Sequence, residues 1–378
     1  MMSVRVCDKR RSPTPVLHSS CLYSPQMGLS SLVLVSLVAF AAAATPQLPA
    51  YLNARDLCTD VWSFPANNLQ VYASTTDYGL LDNIFVSVNG QQTPVPLSTL
   101  IKSPYGMADK LSGLTFNKAY CPSFPSDWSV IIYVQQVGSD NSFPFVLTDP
   151  SSASNGMGTF GPAALTILNP FYDSGKGVKI DSFTMIKDGL VEVQSRGYNG
   201  ATNSLFSVKP GQASEWKNTV VYGPIIQVLS SDGGGQVNLG NPQSFSSGQN
   251  PSLKTRGIVM SPYYGISPSF VNLNVTLDMT GLGKHRHPFY SIKIRSVDTN
   301  SGTLYIQGGS GHSSYSYSNQ GPITDQTLAK IESDKVTISY VSSQANSGFL
   351  IEYQADAGSA SMSVLMAVLM SLVFVLLK

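Results

Sequence analysis

Two runs near the C-terminal end decide the fold: Val336-Thr337-Ile338-Ser339-Tyr340 and Gly348-Phe349-Leu350-Ile351-Glu352-Tyr353. In each, apolar side chains fall on every second position, which is the period of a strand with one face buried. Upstream, Leu273-Asn274-Val275-Thr276-Leu277, Tyr290-Ser291-Ile292-Lys293-Ile294 and Thr303-Leu304-Tyr305-Ile306 repeat the pattern between Gly, Pro, Ser and Asn residues. Gly257-Ile258-Val259-Met260-Ser261-Pro262-Tyr263-Tyr264 opens the set, so residues 253–355 read as one β-sandwich.

The same period extends toward the N-terminus. Strands are expected at 69–73, 84–88, 129–134 and 144–147 in a first unit, 45–150, with Trp62, Phe64, Trp128 and Tyr133 as candidate core aromatics. A second unit, 159–241, has strands expected at 164–168, 179–185, 190–194, 205–208, 219–222 and 225–229. Asp188-Gly189 predicts a tight hairpin, because the pair tolerates the positive φ angles of a two-residue turn. Ser230-Ser231-Asp232-Gly233-Gly234-Gly235 lacks the lysine and helix of a phosphate-binding loop and reads as another hairpin tip. Residues 149–158 and 242–252, rich in Ser, Gly, Asn and Gln, read as linkers. The one helical suggestion is 325–331. The expected class is all-β, with tandem antiparallel β-sandwich units of the jelly-roll type.

Residues 29–44 hold an apolar core, Leu32 to Phe40, followed by Ala41 to Ala44 and Thr45-Pro46. That predicts a leader and signal peptide over 1–44, cleaved after Ala44, with Met1 or Met27 as the start. Residues 356–378 repeat small residues, a short polar spacer and an apolar tail ending in Lys378. This is the pattern of a GPI-attachment signal, with Asp356, Ala357, Gly358 and Ser359 as candidate attachment residues. A transmembrane segment is the alternative at either end, although both apolar runs fall short of the ~20 residues that span a bilayer.

Removing residues 1–44 and 357–378 takes five of the 23 basic residues and one of the 22 acidic ones, leaving 18 against 21. That balance gives nucleic acid no electrostatic attraction. Cys7 and Cys21 leave with the leader, so Cys58 and Cys121 remain as an even pair in an oxidising compartment. Joined, they would close a loop of roughly 60 residues and stabilise the first unit by about 4 kcal/mol; two free thiols are the alternative. Asn274-Val275-Thr276 is the glycosylation sequon, since proline disqualifies Asn250-Pro251-Ser252.

The phrases at 257–264 and 348–353 resemble the opening and closing strands of CUB domains, and their spacing suits that sandwich. The low cysteine content and the leader further resemble the CUB-like proteins of the nematode secreted or surface type. The resemblance is specific at the two ends of 257–355 and architectural over 45–245. Together with the predicted GPI anchor, it implies an extracellular protein acting as a non-catalytic binding or barrier component, in epithelial or innate defence, with an extracellular protein or glycan ligand. Two features depart from the family: 257–355 holds no cysteine, and Asn300-Ser301-Gly302 stands where many members carry a calcium-binding carboxylate. With only Asp298 near, no calcium site is expected.

Chemistry-bearing residues are few. Lys284-His285-Arg286-His287, with His312 further on, sets imidazoles two apart, but the flanking cations oppose a metal and Gly283 and Pro288 favour a loop. A solvated basic ligand loop is expected, joined by Tyr315 and Tyr317 from the Ser-Tyr alternation at 313–318. Gly308-Gly309-Ser310-Gly311-His312 lacks the spacing and helix of a nucleophile elbow, so a surface hydrolase using Ser310 or His312 is the rival reading and a structural coat protein a third. No cofactor is expected.

Overall fold

The alternation becomes strand register in six antiparallel-dominated sheets that pair into three β-sandwiches. The computed structural model describes residues 48–358 apart from 90, 92, 102–106, 118–128, 138–144, 148–156, 161–163, 186–188, 199–200, 232–233, 245–247, 263, 267–270, 283–286, 310–312, 343 and 346–347. The leader, Trp128, Cys121 and the apolar tail lie outside the described residues.

In the first sandwich one sheet runs Ala50–Asn53, Val130–Gln136, Leu69–Thr75, Met107–Leu111, and the other Trp62–Phe64, Leu114–Phe116, Phe85–Val88, Val95–Pro96. Phe64 and Phe116 meet edge to face at 6.1 Å in its core, with Trp62 packed at the margin. Tyr133 lies instead on the opposite face of its sheet.

The second sandwich sets Met157–Phe160, Gly235–Ser244, Lys176–Met185 and Thr219–Val221 against Thr202–Val208, Val191–Arg196, Ile225–Ser230, Leu165–Leu168 and Phe145–Leu147. Trp216 and Phe206 stack at 4.1 Å in its core. Phe145–Leu147, assigned to the first unit from sequence, pairs in parallel with Leu165–Leu168. Met157–Phe160 enters the expected linker as a strand on Gly235–Ser244.

The third sandwich has an inner sheet, Thr255–Met260, Phe349–Gly358, His287–Asp298, Pro322–Thr327, and an outer sheet, Asn272–Asp278, Lys335–Ser342, Gly302–Gly308, Ser314–Ser318. Leu273, Val275, Leu277, Leu304, Ile306, Val336, Ile338 and Tyr340 point inward, as the period demands. Gly302 has a steric reason: a Cβ there would lie 2.6 Å from the Tyr340 hydroxyl, which donates to the Asp298 carbonyl at 2.6 Å.

Two expectations fail for identifiable reasons. Lys176–Met185 and Val191–Arg196 belong to different sheets, so they do not pair as the expected hairpin; Asp188 itself lies outside the described residues. Ile225–Ser230 and Gly235–Ser244 likewise change sheet. The five and four residues between these strands can reach about 17 and 14 Å when extended, enough to bridge the ~10 Å between packed sheets. Residues 325–331 form no helix: Pro322–Thr327 is a strand on His287–Asp298, and Asp325 adopts a left-handed φ of 52° that a right-handed helix cannot continue. Leu328 and Ile331, both buried and three apart, imitate a helical stripe.

Candidate functional site

Of the residues singled out for a ligand loop, His287, Tyr315 and Tyr317 are described. Lys284, His285, Arg286, Ser310 and His312 lie outside the described residues, and His287 opens a strand, exposed, opposite Gly358. Tyr315 and Tyr317 sit on Ser314–Ser318 and turn toward the core while the serines face out. Tyr317 is buried, and the Tyr315 hydroxyl donates to the Ala329 carbonyl at 3.4 Å. The Ser-Tyr alternation is a half-buried strand, not a binding loop. Asp298, read for calcium, accepts the Asn300 backbone N–H on its carboxylate at 3.0 Å and so caps a turn. Among the described residues no three His, Cys, Asp or Glu side chains converge on a metal position. Cys58 is disulfide-bonded.

What the fold does bring together lies between sandwiches. At the first joint the second face of the Leu69–Thr75 sheet carries Tyr51, Tyr72, Ile131 and Tyr133 onto Leu168 and Ile225. Tyr51 stacks on Tyr133 at 4.7 Å, Tyr72 on Tyr133 at 5.7 Å, and the Arg196 guanidinium lies 4.8 Å from the Tyr51 ring centre. The polar ends are paired: Tyr133 donates to Gln135 at 3.0 Å, Gln135 to Gln70 at 2.9 Å, and Gln227 to the Tyr51 hydroxyl at 3.0 Å. Burial raises the phenol pKa of Tyr51 and, more strongly, Tyr133, because desolvation penalises the phenolate and Arg196 offsets only part of it.

The second joint is built differently. Ile258, Met260 and Leu350, on the face of the inner sheet turned away from its own core, join the core of the second sandwich. Beside them Arg256 takes Glu215 of the second sandwich at 2.6 Å and Glu352 at 3.5 Å. The chain of charges continues through Arg295 to Asp325, which also takes Lys293 at 2.9 Å.

Next to this contact a polar cleft of about 230 Å³ remains open. Lys179 comes from Lys176–Met185, Lys217 and Asn218 from the turn before Thr219–Val221, Gln243 from the end of Gly235–Ser244, and Gln249 from the crossing into the third sandwich. Its floor is fixed. The Tyr353 hydroxyl donates to Gln249 Oε1 at 2.7 Å, Gln249 Nε2 donates to the Ile258 carbonyl at 3.3 Å, and the Gln249 backbone exchanges bonds with Thr276 and Asp278. Tyr353 reaches it because residue 257 is glycine; a Cβ there would lie 2.5 Å from that hydroxyl. Burial raises the Tyr353 pKa, so the hydroxyl stays a donor.

Charge in the cleft is one-sided. Lys179 is held by Asp181 at 2.7 Å, whereas Lys217 is exposed and has no ion pair among the described residues. An ammonium beside several side-chain amides suits an anionic oxygen group among neutral hydroxyls. Sequence reasoning missed this site because its residues are spread from Lys179 to Tyr353, of which Tyr353 alone fell inside a quoted strand phrase.

The outer sheet presents a second surface, flat and uncharged. Register places Asn274, Ser339, Tyr305 and Ser316 in one row across it, with Asn272, Val341, Thr303 and Ser318 beside them. Thr276, Thr337, Gln307 and Ser314 form the next row. Tyr305 and Val341 are 37% and 52% exposed, and only the Asp278–Lys335 pair, 3.6 Å apart, brings charge to its edge.

No family model matches the chain, and no curated protein matches it. Among solved structures, the CUB1-EGF-CUB2 domain of human MASP-1/3 aligns with 53% of this chain and 99% of its own, at 10% identity and a TM-score of 0.23. The CUB1-EGF-CUB2 domains of rat MASP-1 align with 82% and 95%, at 10% identity and a TM-score of 0.22. The all-β assignment rests on the strand register.

Proposed function

We propose that the chain is a non-catalytic, CUB-like binding protein of the cell exterior that takes an acidic glycan in the cleft between its second and third sandwiches. The observation that carries this is the Lys217 ammonium, without an ion pair among the described residues, beside an amide-lined floor fixed by Tyr353 and Gln249. A carboxylate or sulfate would meet the ammonium, and neighbouring hydroxyls would meet the amides. The test passes the secreted protein over matched immobilised acidic and neutral glycans. Retention on the acidic glycan alone, released by salt, is expected; equal retention on both, or on neither, would sink the reading.

The apolar leader supports a secretory route, and the small residues before the apolar tail support a lipid anchor. The strand pairing runs through Phe289 opposite Asp356 and Pro288 opposite Ala357 to His287 opposite Gly358, so attachment at Ser359 leaves the sheet whole, whereas attachment at Asp356 would remove its last pairs. Ser359 itself lies outside the described residues. Phosphatidylinositol-specific phospholipase C is expected to release the protein from expressing cells, and the released form to retain Gly358. Retention on cells with no lipase-resistant anchor would contradict the anchor. A Cys58–Cys121 disulfide, visible as a linked peptide pair after proteolysis, belongs to the same reading.

A further inference from the structure

The uncharged outer face of the third sandwich carries its own sequon. Asn274 and Thr276 lie two apart on one strand, so both side chains stand on this face while Val275 is buried between them. Tyr305 shares the row of Asn274, with Ser339 between, which places it two strands, about 10 Å, away. Two of the four exposed large apolar residues among those described, Tyr305 and Val341, are on this face.

We infer that an N-linked glycan on Asn274 lies down across this sheet, with its first sugars packed on Tyr305. Attachment forms a bond from Asn274 Nδ2 to the anomeric carbon of a polyprenyl-pyrophosphate-linked oligosaccharide. The pyrophosphate leaves with the electron pair of the broken C–O bond, and the amide gives up one proton. From Asn274 the glycan has a neutral surface ahead of it. Sugar C–H groups carry partial positive charge and meet the negative face of the Tyr305 ring. The hydroxyls of Ser339, Thr337 and Ser316 and the Gln307 amide offer donors and acceptors to the sugar hydroxyls. Because the glycan is covalently tethered, these weak contacts act at high effective concentration. The face, which is separate from the lysine cleft, is therefore occupied in cis.

This rests on the secretory route of the proposed function and not on the cleft. The test produces the full chain through a eukaryotic secretory pathway, measures occupancy of the Asn274 peptide by mass spectrometry, and follows thermal unfolding before and after enzymatic removal of the glycan. The same pair of scans is run on Tyr305→Ala, which keeps the sequon. Deglycosylation is expected to lower the Tm of the parent by roughly 3 °C and that of Tyr305→Ala by less than about a third as much, the sign of coupling between ring and sugar. Thr276→Ala, which blocks attachment, should match the deglycosylated parent. A secreted chain with Asn274 unmodified, or equal losses in parent and Tyr305→Ala, would overturn the inference. Failure of secretion would sink the secretory reading as well.

Discussion

The two joints of this molecule connect like to like and are built from opposite materials. Between the first and second sandwiches, three stacked tyrosines and their amide partners close the contact. Between the second and third, an apolar strip is flanked by the Glu215–Arg256–Glu352 pairs and an open cleft. Aromatic rings fill space and hold one geometry. Charges and amides at a junction leave donors that a ligand can use. The first joint is a structural seal, and the second leaves a polar cleft open.

The largest effect should come from breaking the seal. Tyr133, 2% exposed, stacks on two rings, and Tyr133→Ala should cost about 3–5 kcal/mol, read by denaturant unfolding. Arg256→Ala strips the partner from Glu215 and Glu352 at half-buried sites and should cost about 1–2 kcal/mol, less in high salt. A salt-independent loss there would contradict an electrostatic second joint. Lys217→Gln should leave stability within about 0.5 kcal/mol yet weaken an acidic glycan on the order of tenfold.

The first joint and the edge of the outer sheet should also separate by pH. The Tyr51 and Tyr133 phenols have folded pKa values above the unfolded 10.0, so their contribution is intact below pH 10 and is lost as pH rises toward the folded values. Tyr133→Phe should blunt that alkaline loss. Asp278 behaves oppositely. The Thr280 hydroxyl and N–H hold its carboxyl below 3.8, so its stabilisation is present above that value and fades as pH falls through the folded one. The smallest effect is therefore an acid limb slightly flatter in Asp278→Asn.

Strand existence was legible because alternation survives wherever one face meets solvent; Val336 to Tyr340 and Leu273 to Leu277 read directly. Partnering was not. Asp188-Gly189 specifies a local bend, and whether the chain then returns to the same sheet depends on the opposing layer, which no local residue encodes. Tyr133 read as core for the right reason, burial, but faces a neighbouring sandwich, since a strand buried on both sides shows no period. Tyr315 and Tyr317 read as ligand residues because their serines suggested a loop. The cleft was invisible because Lys217 and Gln249 acquire meaning only when two sandwiches meet.

The most direct test of the central claim is a calorimetric titration of the released protein with a uronic-acid oligosaccharide and with the same sugar after its carboxyls are reduced to alcohols. Binding of the acid form, lost on reduction of its carboxyls and weakened about tenfold by Lys217→Gln, is the predicted result. Equal binding of both forms, or an affinity that Lys217→Gln leaves unchanged, would contradict it.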